Sequence, residues 1–215
     1  MMNVYRDLLE AMDQEFDMVR ILKRSERGTV SLVRHRKSGT RYVFRRFAGN
    51  GEVYRKLLTV SCPNLPQIYE VEESGGETAV LEEYIQGDSL AYLLAGDVLD
   101  AKTAKSVARQ VCSALWTLHS MGVVHRDVKP ENVMLRGREA VLIDFDASRV
   151  FKDEISRDTQ VLGTTGFAAP EQYGIGRAAG GAPGLRGLRQ RRLKLDDVIE
   201  EYTQEILDNW DDSPP

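Results

Sequence analysis

The chain has 215 residues, of which 42% are hydrophobic, and this is enough for one domain with a substantial core. Its formal net charge of −4 argues against a nucleic-acid partner, because nucleic-acid-binding surfaces are strongly basic. No apolar run reaches the roughly 18 residues of a membrane-spanning helix, and the amino terminus lacks a signal-peptide pattern. The 2 cysteines favour free thiols over a disulfide. We therefore expect a cytoplasmic protein without a membrane segment.

Two amphipathic patterns occupy the beginning of the chain. Residues 4–18 have the spacing of a short helix. Residues 41–47 alternate with a period of two, so that Val43 and Arg45 lie on the same face of a strand. A shift of one residue would turn Arg46 to that face but would also reverse the hydrophobic face. We therefore predict that Arg45 points to the buried side.

Further helices are predicted from the spacing of apolar residues. Residues 52–58 fit a short helix, and the pair Asp88-Ser89 is placed to cap another helix that follows it. Residues 101–121 fit a long helix. Its buried stripe is predicted to contain Val107, Ala108, Val111, Ala114, Leu115 and Leu118.

The most informative part of the chain follows the long helix. Residues 125–132 read HRDVKPEN, residues 141–146 read VLIDFD, and residues 163–171 read GTTGFAAPE. A three-residue motif recurs by chance, but three such motifs in this order do not. Together they resemble the catalytic loop, the metal-binding loop and the end of the activation segment in the eukaryotic-type serine/threonine protein kinases, a family with bacterial members.

The resemblance implies a role for each residue type. Asp127 would orient or accept the proton of the attacking hydroxyl, Lys129 would steady the transferred phosphoryl group, and Thr164 would hydrogen-bond both. Asn132 and Asp144 would supply hard oxygen ligands to Mg²⁺ bridging the phosphates of ATP. The lysine at 129 is typical of the Ser/Thr branch. The expected substrate is a protein with a serine or threonine hydroxyl, and the expected cofactors are ATP and Mg²⁺.

The residues before the strand at 41–47 align with the phosphate-covering loop of the family. Gly28 and Val30 match its last glycine and its valine, whereas Lys23 and Ser25 replace the first two glycines. Glycine lets backbone N–H groups approach phosphate closely. A Lys/Ser version is expected to form a hairpin that sits less closely over the phosphates.

The next strand and helix carry a second departure. Val43 matches the small residue over adenine, and Arg45 matches the lysine that binds the phosphates. The planar guanidinium does not reproduce the point charge and reach of a lysine. Glu52 is the candidate for the helix glutamate that pairs with this cation, the alternative being an ordinary surface glutamate.

Residues 79–90 resemble the last strand of the small lobe, the hinge and the start of a helix. Glu82 would occupy the gatekeeper position, which is normally apolar. Glu83 and Tyr84 would offer backbone groups to adenine. Met134 would lie beneath the adenine ring or is simply a core methionine.

The metal-binding loop departs from the family because Asp146 replaces the glycine of its DFG motif. This removes conformational freedom and adds a carboxylate beside the metal site. The polar residues after it would form the activation loop. Hydroxyls there, such as Ser148 and Thr159, are either phosphorylation sites or merely solvated.

The resemblance implies an α+β, two-lobed protein kinase-like fold with a small β-rich lobe and a truncated helical large lobe. The expected divisions, in chain order, are an amino-terminal helix or extension (1–15), the small lobe (16–83), a partial large lobe with the catalytic loop and activation segment (84–174), a Gly/Ala/Arg-rich linker (175–192), and an acidic amphipathic helix with a tail (193–215).

Alternatives remain for the end of the chain and for the activity. The last two segments are either the product of a frameshift or fusion, or a docking element for a partner. The retained chemistry residues favour an active kinase. The departures at Lys23, Ser25, Arg45 and Asp146 favour a pseudokinase that binds nucleotide or protein. A kinase-fold phosphotransferase for small molecules is a third reading.

Overall fold

A computed structural model describes residues 4–96 and 98–150, which lie in the first of the two units into which the chain divides, Met1–Tyr173. The helices are α1 (Val4–Glu15), α2 (Glu52–Leu57), α3 (Leu90–Gly96) and α4 (Ala101–Ser120). The strands are β1 (Phe16–Ser25), β2 (Gly28–His35), β3 (Arg41–Ala48), β4 (Ile68–Ser74), β5 (Glu77–Glu83), β6 (Asp88–Ser89), β7 (Val123–Val124), β8 (Val133–Arg136), β9 (Glu139–Leu142) and β10 (Arg149–Val150).

The amino-terminal part is a five-stranded antiparallel sheet in the order β1-β2-β3-β5-β4. Its first two strands meet in a tight turn in which Ser25 lies opposite Gly28, so the predicted hairpin forms without the missing glycines. Gly28 is required there for packing, because a Cβ on it would stand 2.0 Å from the carbonyl oxygen of Arg46 in β3.

Helix α1 is shorter than the predicted helix over 4–18. It ends at Glu15 because β1 begins at once, with Phe16 paired to His35 of β2. The hydrogen bonds between β1 and β2 stabilise residues 16–18 as part of a strand, although their sequence has a weak helical pattern. Helix α1 packs its apolar stripe on the outer face of the sheet; the cluster contains Tyr5, Leu8, Met12, Val33, Ala79 and Leu81.

The inner face of the sheet carries the predicted alternation. Val43 and Arg45 are buried and Arg46 is exposed, which confirms the register chosen from the sequence. Helix α2 packs against this face through Tyr54 and Leu57, and its core continues into the carboxyl-terminal part. The charged Arg45 is therefore enclosed between a sheet and a helix.

Helix α4 organises the carboxyl-terminal part. The Asp100 side chain accepts a hydrogen bond from the Thr103 N–H at 3.0 Å and caps the helix, and Val107, Ala114 and Leu118 are buried along it. Ala108 is exposed, so its predicted burial was wrong because the buried stripe is narrower than expected. The predicted cap of α3 is confirmed at its serine, since Ser89 Oγ accepts from the Tyr92 N–H at 3.1 Å.

Asn64, in the turn after α2, joins the two parts. Its side-chain amide donates to the Ala140 carbonyl at 2.9 Å, and its own carbonyl accepts from the Leu142 N–H at 2.9 Å. Strand β9 is thus held to the small lobe just before the metal-binding loop begins.

Several predictions fall outside the described residues. These are Thr164 with the rest of the motif at 163–171, the linker at 175–192 and the helix within 193–215. Among residues 4–96 and 98–150, no helix combines the length and the apolar character needed to cross a membrane.

Candidate active site

The catalytic loop brings three predicted residues together. Lys129 Nζ lies 2.8 Å from Asp127 Oδ2. The Asn132 side-chain amide donates to the same carboxylate oxygen at 3.0 Å and to the Asp127 carbonyl at 2.8 Å. A single turn of 3-10 helix, Pro130–Asn132, returns the chain so that Asn132 faces Asp127. The loop therefore presents one carboxylate that is oriented by an amide and paired with a cation.

His125 ties this loop to the metal-binding loop. Its Nε2 lies 3.1 Å from the Ile143 carbonyl, and its Nδ1 lies 3.4 Å from the Asp127 N–H. Burial lowers the pKa of His125. A neutral ring that donates from Nε2 and accepts at Nδ1 satisfies both contacts. The Ile143 N–H in turn donates to the Asn132 carbonyl at 2.8 Å, so Asp144 is held beside the catalytic loop.

The metal-binding loop is anchored by its aromatic residue. Phe145 is buried and lies edge-on to both Tyr54 of α2 and His125, at ring-centroid distances of 5.9 and 5.5 Å. Asp144 has φ of 66°, a left-handed conformation that is uncommon for residues other than glycine. The buried Phe145 and the strained Asp144 together turn the Asp144 carboxylate toward the inner face of the small lobe.

The Asp144 carboxylate belongs to a cluster of five charged side chains. Arg45 Nη1 lies 3.3 Å from Asp144 Oδ1 and 3.2 Å from Asp146 Oδ1. Lys23 Nζ lies 3.1 Å from Asp144 Oδ2 and 2.8 Å from Asp146 Oδ2. Arg45 Nε donates to Glu82 Oε1 at 2.7 Å. We call these residues the charge cluster: Lys23, Arg45, Glu82, Asp144 and Asp146.

Burial and charge act against each other in this cluster. Burial alone would raise the pKa of Asp144, but Arg45 and Lys23 hold it below its usual value. Burial opposes the charge of Arg45 as well, yet the surrounding carboxylates, Glu82 foremost, raise its pKa. Burial raises the pKa of Glu82, and Arg45 opposes that rise. Asp144 is therefore ionised and available as an acceptor or ligand.

The predicted pairing of Glu52 with Arg45 is wrong. The ion pairs of Arg45 are made with Glu82, Asp144 and Asp146. Glu52 begins α2, whereas Glu82 lies on β5, directly beside β3, on the same face as Arg45. The guanidinium of Arg45 therefore contacts Glu82 on the adjacent strand.

An aspartate in place of the DFG glycine at position 146 restricts the backbone less than the sequence suggested. Arg126 and Asp144 are the described non-glycine residues with positive φ, and Asp146 is not among them. A glycine is therefore not required at position 146 in this conformation. Its carboxylate instead contacts both cations, as the sequence-based expectation of an added carboxylate beside the site implies.

The other residues predicted to contact the nucleotide are spread over both lobes. Val43 is buried on β3, Val30 lies opposite Arg45 on β2, and Met134 is half-buried on β8. The Glu83 N–H donates to the Gln67 carbonyl at 2.8 Å. Of the backbone groups predicted for the hinge, the Glu83 N–H is thus engaged within the protein.

A cavity of about 600 Å³ lies beneath the β1–β2 hairpin. Its lining includes Lys23, Gly28, Val30, Arg45 and Asp146, but not Val43, Tyr84 or Met134. The cavity thus lies under the hairpin that is expected to cover the phosphates, and its lining does not include Asp144 or Asn132.

The donor set around Asp144 fits Mg²⁺. The described residues contain no group of three or more His, Cys, Asp or Glu side chains with metal-site geometry. Mg²⁺ is usually held by one or two carboxylates together with substrate phosphates and water, so a larger protein cage is not needed. Asp144 supplies a carboxylate, and Asn132 retains its amide oxygen because its nitrogen makes the bonds to Asp127.

Two contributors to the site could not be assigned from the motifs. The sequence placed Glu82 at the gatekeeper position without a partner, although the alternation of β3 and β5 puts it on the face of Arg45. Tyr54 was assigned no role, although it contacts Phe145. The signal for Glu82 was a charged residue directly after the apolar run 79–81, whereas Tyr54, which is followed by Arg55 and Lys56, carried no such signal.

Comparisons with known proteins agree with this geometry. Residues 20–179 match the model of the family described as "Protein kinase domain". The chain is 32% identical over 146 residues to the serine/threonine-protein kinase pkn2 of Myxococcus xanthus, covering 64% of this chain and 17% of that protein. It is 34% identical over 116 residues to the serine/threonine-protein kinase D of a Synechocystis species, covering 50% of this chain and 22% of that protein.

A third relative is the probable cAMP-dependent protein kinase catalytic subunit of Encephalitozoon cuniculi, 28% identical over 174 residues, covering 74% of this chain and 53% of that protein. The chain thus spans about half or less of the length of these relatives. The family match covers most of the chain and contains every motif described above. The chain belongs to the protein kinase domain family.

Proposed function

We propose that this protein transfers the γ-phosphate of ATP to a serine or threonine hydroxyl of a protein, with Mg²⁺ as cofactor. The observation that carries the proposal is the Asp127 carboxylate, which is oriented by Asn132 and paired with Lys129 beside an ionised Asp144. Phosphoryl transfer depends mainly on positioning and on charge neutralisation, and these residues supply both.

The catalytic loop acts on the acceptor. Asn132 donates to Asp127 and orients its carboxylate, which would receive the proton of the incoming hydroxyl. Lys129 lies within 2.8 Å of Asp127 and is placed to neutralise charge that develops on the transferred group. Removing a positioned acid or base of this kind typically slows a reaction by about 10²–10⁴-fold.

The charge cluster acts on the nucleotide. Asp144 with Asn132 would hold Mg²⁺, which neutralises charge on the phosphates when it is bound. Lys23 and Arg45 contact the carboxylates of both Asp144 and Asp146. Both cations would lie near the phosphates and would help to neutralise their charge.

The pseudokinase alternative depended on departures at Lys23, Ser25, Arg45 and Asp146 and on the missing helices of the large lobe. Three of these side chains, Lys23, Arg45 and Asp146, form one connected arrangement with Asp144 rather than separate losses. The relatives that are named serine/threonine-protein kinases support a protein hydroxyl as acceptor over a small molecule.

The division of the chain made from the sequence is also kept as a proposal. The small lobe over 16–83 and the large-lobe segment over 84–174 would enclose the nucleotide. The linker over 175–192 and the helix over 193–215 would lie outside the kinase domain, with the helix open to a partner. The cytoplasmic location stays a prediction.

The proposal is tested by phosphate incorporation from radiolabelled ATP into the full chain and into a general protein acceptor. Asp127→Asn should lower the rate by about 10²–10⁴-fold, because the amide cannot accept the proton. Asp13→Asn is the matched control, since Asp13 is exposed on α1. Incorporation that is equal in the wild type and Asp127→Asn would remove the catalytic assignment.

A further inference from the structure

The guanidinium of Arg45 on β3 is paired with a carboxylate of the same sheet, that of Glu82 on β5. In the β3–β5 register, Val43 lies opposite Glu82 and Arg45 lies opposite Val80, so Glu82 and Arg45 are diagonal neighbours on one face. The two side chains are 5% and 6% exposed and meet at 2.7 Å from Nε to Oε1. A buried, charge-assisted contact of this length constrains the direction of the guanidinium.

Helix α2 offers Arg45 an aromatic neighbour. Tyr54 is 3% exposed, and its ring lies 5.7 Å from Phe47 and 5.9 Å from Phe145, between centroids. Protein kinases commonly require an ion pair between the strand cation and a glutamate of this helix, and the position of the helix then controls activity. In the described part of this chain, the Arg45 ion pairs come from β5 and from the metal-binding loop.

We propose that Glu82 is the positioning residue for Arg45 and replaces the helix carboxylate in this protein. Glu82 holds the cation at the phosphate side of the site. This inference rests on the proposed function. It makes the orientation of Arg45 independent of the helix on which other kinases depend.

The chemistry of the two side chains explains why they occur together. A guanidinium has donors on two edges, so Arg45 binds Glu82 through Nε while Nη1 faces Asp144 and Asp146. The single ammonium of a lysine could not serve both directions in this way. Arg45 and Glu82 therefore act together, and we interpret them as one combined departure from the family pattern.

Two buried polar atoms point to the same conclusion. Glu82 Oε2 and the Tyr54 hydroxyl have no hydrogen-bond partner among residues 4–96 and 98–150. A buried carboxylate is costly unless a counter-charge lies beside it. Here the charge faces the cation that the site requires.

The first test compares the ATP kinetics of the full chain with those of Glu82→Gln, Glu82→Asp and Glu52→Gln. Glu82→Gln keeps the shape but removes the charge, and kcat/KM should fall by about 10²-fold, as expected for a displaced positioning group. Glu82→Asp keeps the charge on a shorter side chain and should lose less. Glu72→Gln, on the opposite face of the same sheet, is the control and should match the wild type.

A second readout does not need catalysis. The Nε–H signal of Arg45 in nitrogen-15 spectra of the nucleotide-free chain, assigned by its loss in Arg45→Lys, should shift in Glu82→Gln and Glu82→Asp. It should stay in place in Glu52→Gln and Glu72→Gln. A purely structural role of Glu82 would instead lower the melting temperature without changing kcat/KM at a temperature where the variant is folded.

The outcomes separate the two proposals. If the wild type transfers no phosphate, the proposed function fails, and the Arg45 signal alone decides the role of Glu82. If Glu52→Gln loses activity and shifts the signal while Glu82→Gln does neither, the cation is held by the helix and the inference is wrong. An unchanged signal in both Glu82 variants also overturns it.

Discussion

The catalytic loop and the phosphate side of the site follow opposite designs. In the catalytic loop, Asp127, Lys129 and Asn132 lie within a few residues of one another and make the contacts that their motif implies. On the phosphate side, Lys23, Arg45, Glu82 and Asp146 all differ from the family pattern, and they contact one another across long sequence separations. The residues of the catalytic loop match the family pattern, whereas the charged residues on the phosphate side depart from it and contact one another.

The largest stability effect is expected on the phosphate side. Arg45→Met should lower the free energy of unfolding by about 3–5 kcal/mol, because Glu82 would remain buried without a counter-charge. Urea denaturation measures the loss. The control is Arg46→Met on the outer face of the same strand, whose exposed pair with Glu77 should contribute at most about 1 kcal/mol.

The double variant Arg45→Met with Glu82→Leu sharpens this prediction. It removes both charges together and should recover most of the lost stability without restoring phosphate transfer. If Arg45→Met unfolds at the same urea concentration as the wild type, Glu82 is not paired as described.

A smaller effect is expected at the junction between the two loops. His125→Leu keeps a similar volume but leaves the Ile143 carbonyl and the Asp127 N–H without their partner. The unsatisfied Ile143 carbonyl should cost about 1–3 kcal/mol, and the 3.4 Å contact of the Asp127 N–H is long and adds little. The free energy of unfolding should therefore fall by about 1–3 kcal/mol. Calorimetric melting detects the change, and a melt like that of the wild type would show that His125 does not connect the loops.

The smallest stability effect is expected for Lys23→Met. The Lys23 side chain is 49% exposed, so its pairs with Asp144 and Asp146 should contribute at most about 1 kcal/mol. The KM for ATP should nevertheless rise, because a cation is removed from the cavity beneath the hairpin. A loss of stability as large as that of Arg45→Met would contradict the distinction between an exposed and a buried cation.

The sequence predicted the contacts of the catalytic loop better than those on the phosphate side of the site. The contacts of Asp127 lie within one short loop, so the motif implied them directly. The side of β3 that carries Arg45 followed from the alternation of its residues, and the structure confirms it. Neither pattern predicted that Glu82 rather than Glu52 pairs with Arg45, because this pairing depends on which strand lies next to β3.

The contact of Lys23 with Asp144 shows the limit more clearly. The two residues are 121 positions apart, and no local rule connects them. Their meeting requires the hairpin, the anchoring of Phe145 and the left-handed turn at Asp144 to form together. From the sequence, the replacement of a hairpin glycine by Lys23 was therefore interpreted as a looser fit over the phosphates. In the structure, Lys23 contacts Asp144 and Asp146 of the charge cluster.

The central claim is that Asp144 and its surrounding charges form a site for ATP with Mg²⁺. The most direct measurement is the melting temperature of the full chain with and without ATP and Mg²⁺, compared with Asp144→Asn. Ligand at 100 times its Kd stabilises the folded state by about 2.7 kcal/mol. The account predicts a magnesium-dependent rise in melting temperature that is lost in Asp144→Asn. The same rise in the variant, or no rise in a folded wild type, would contradict it.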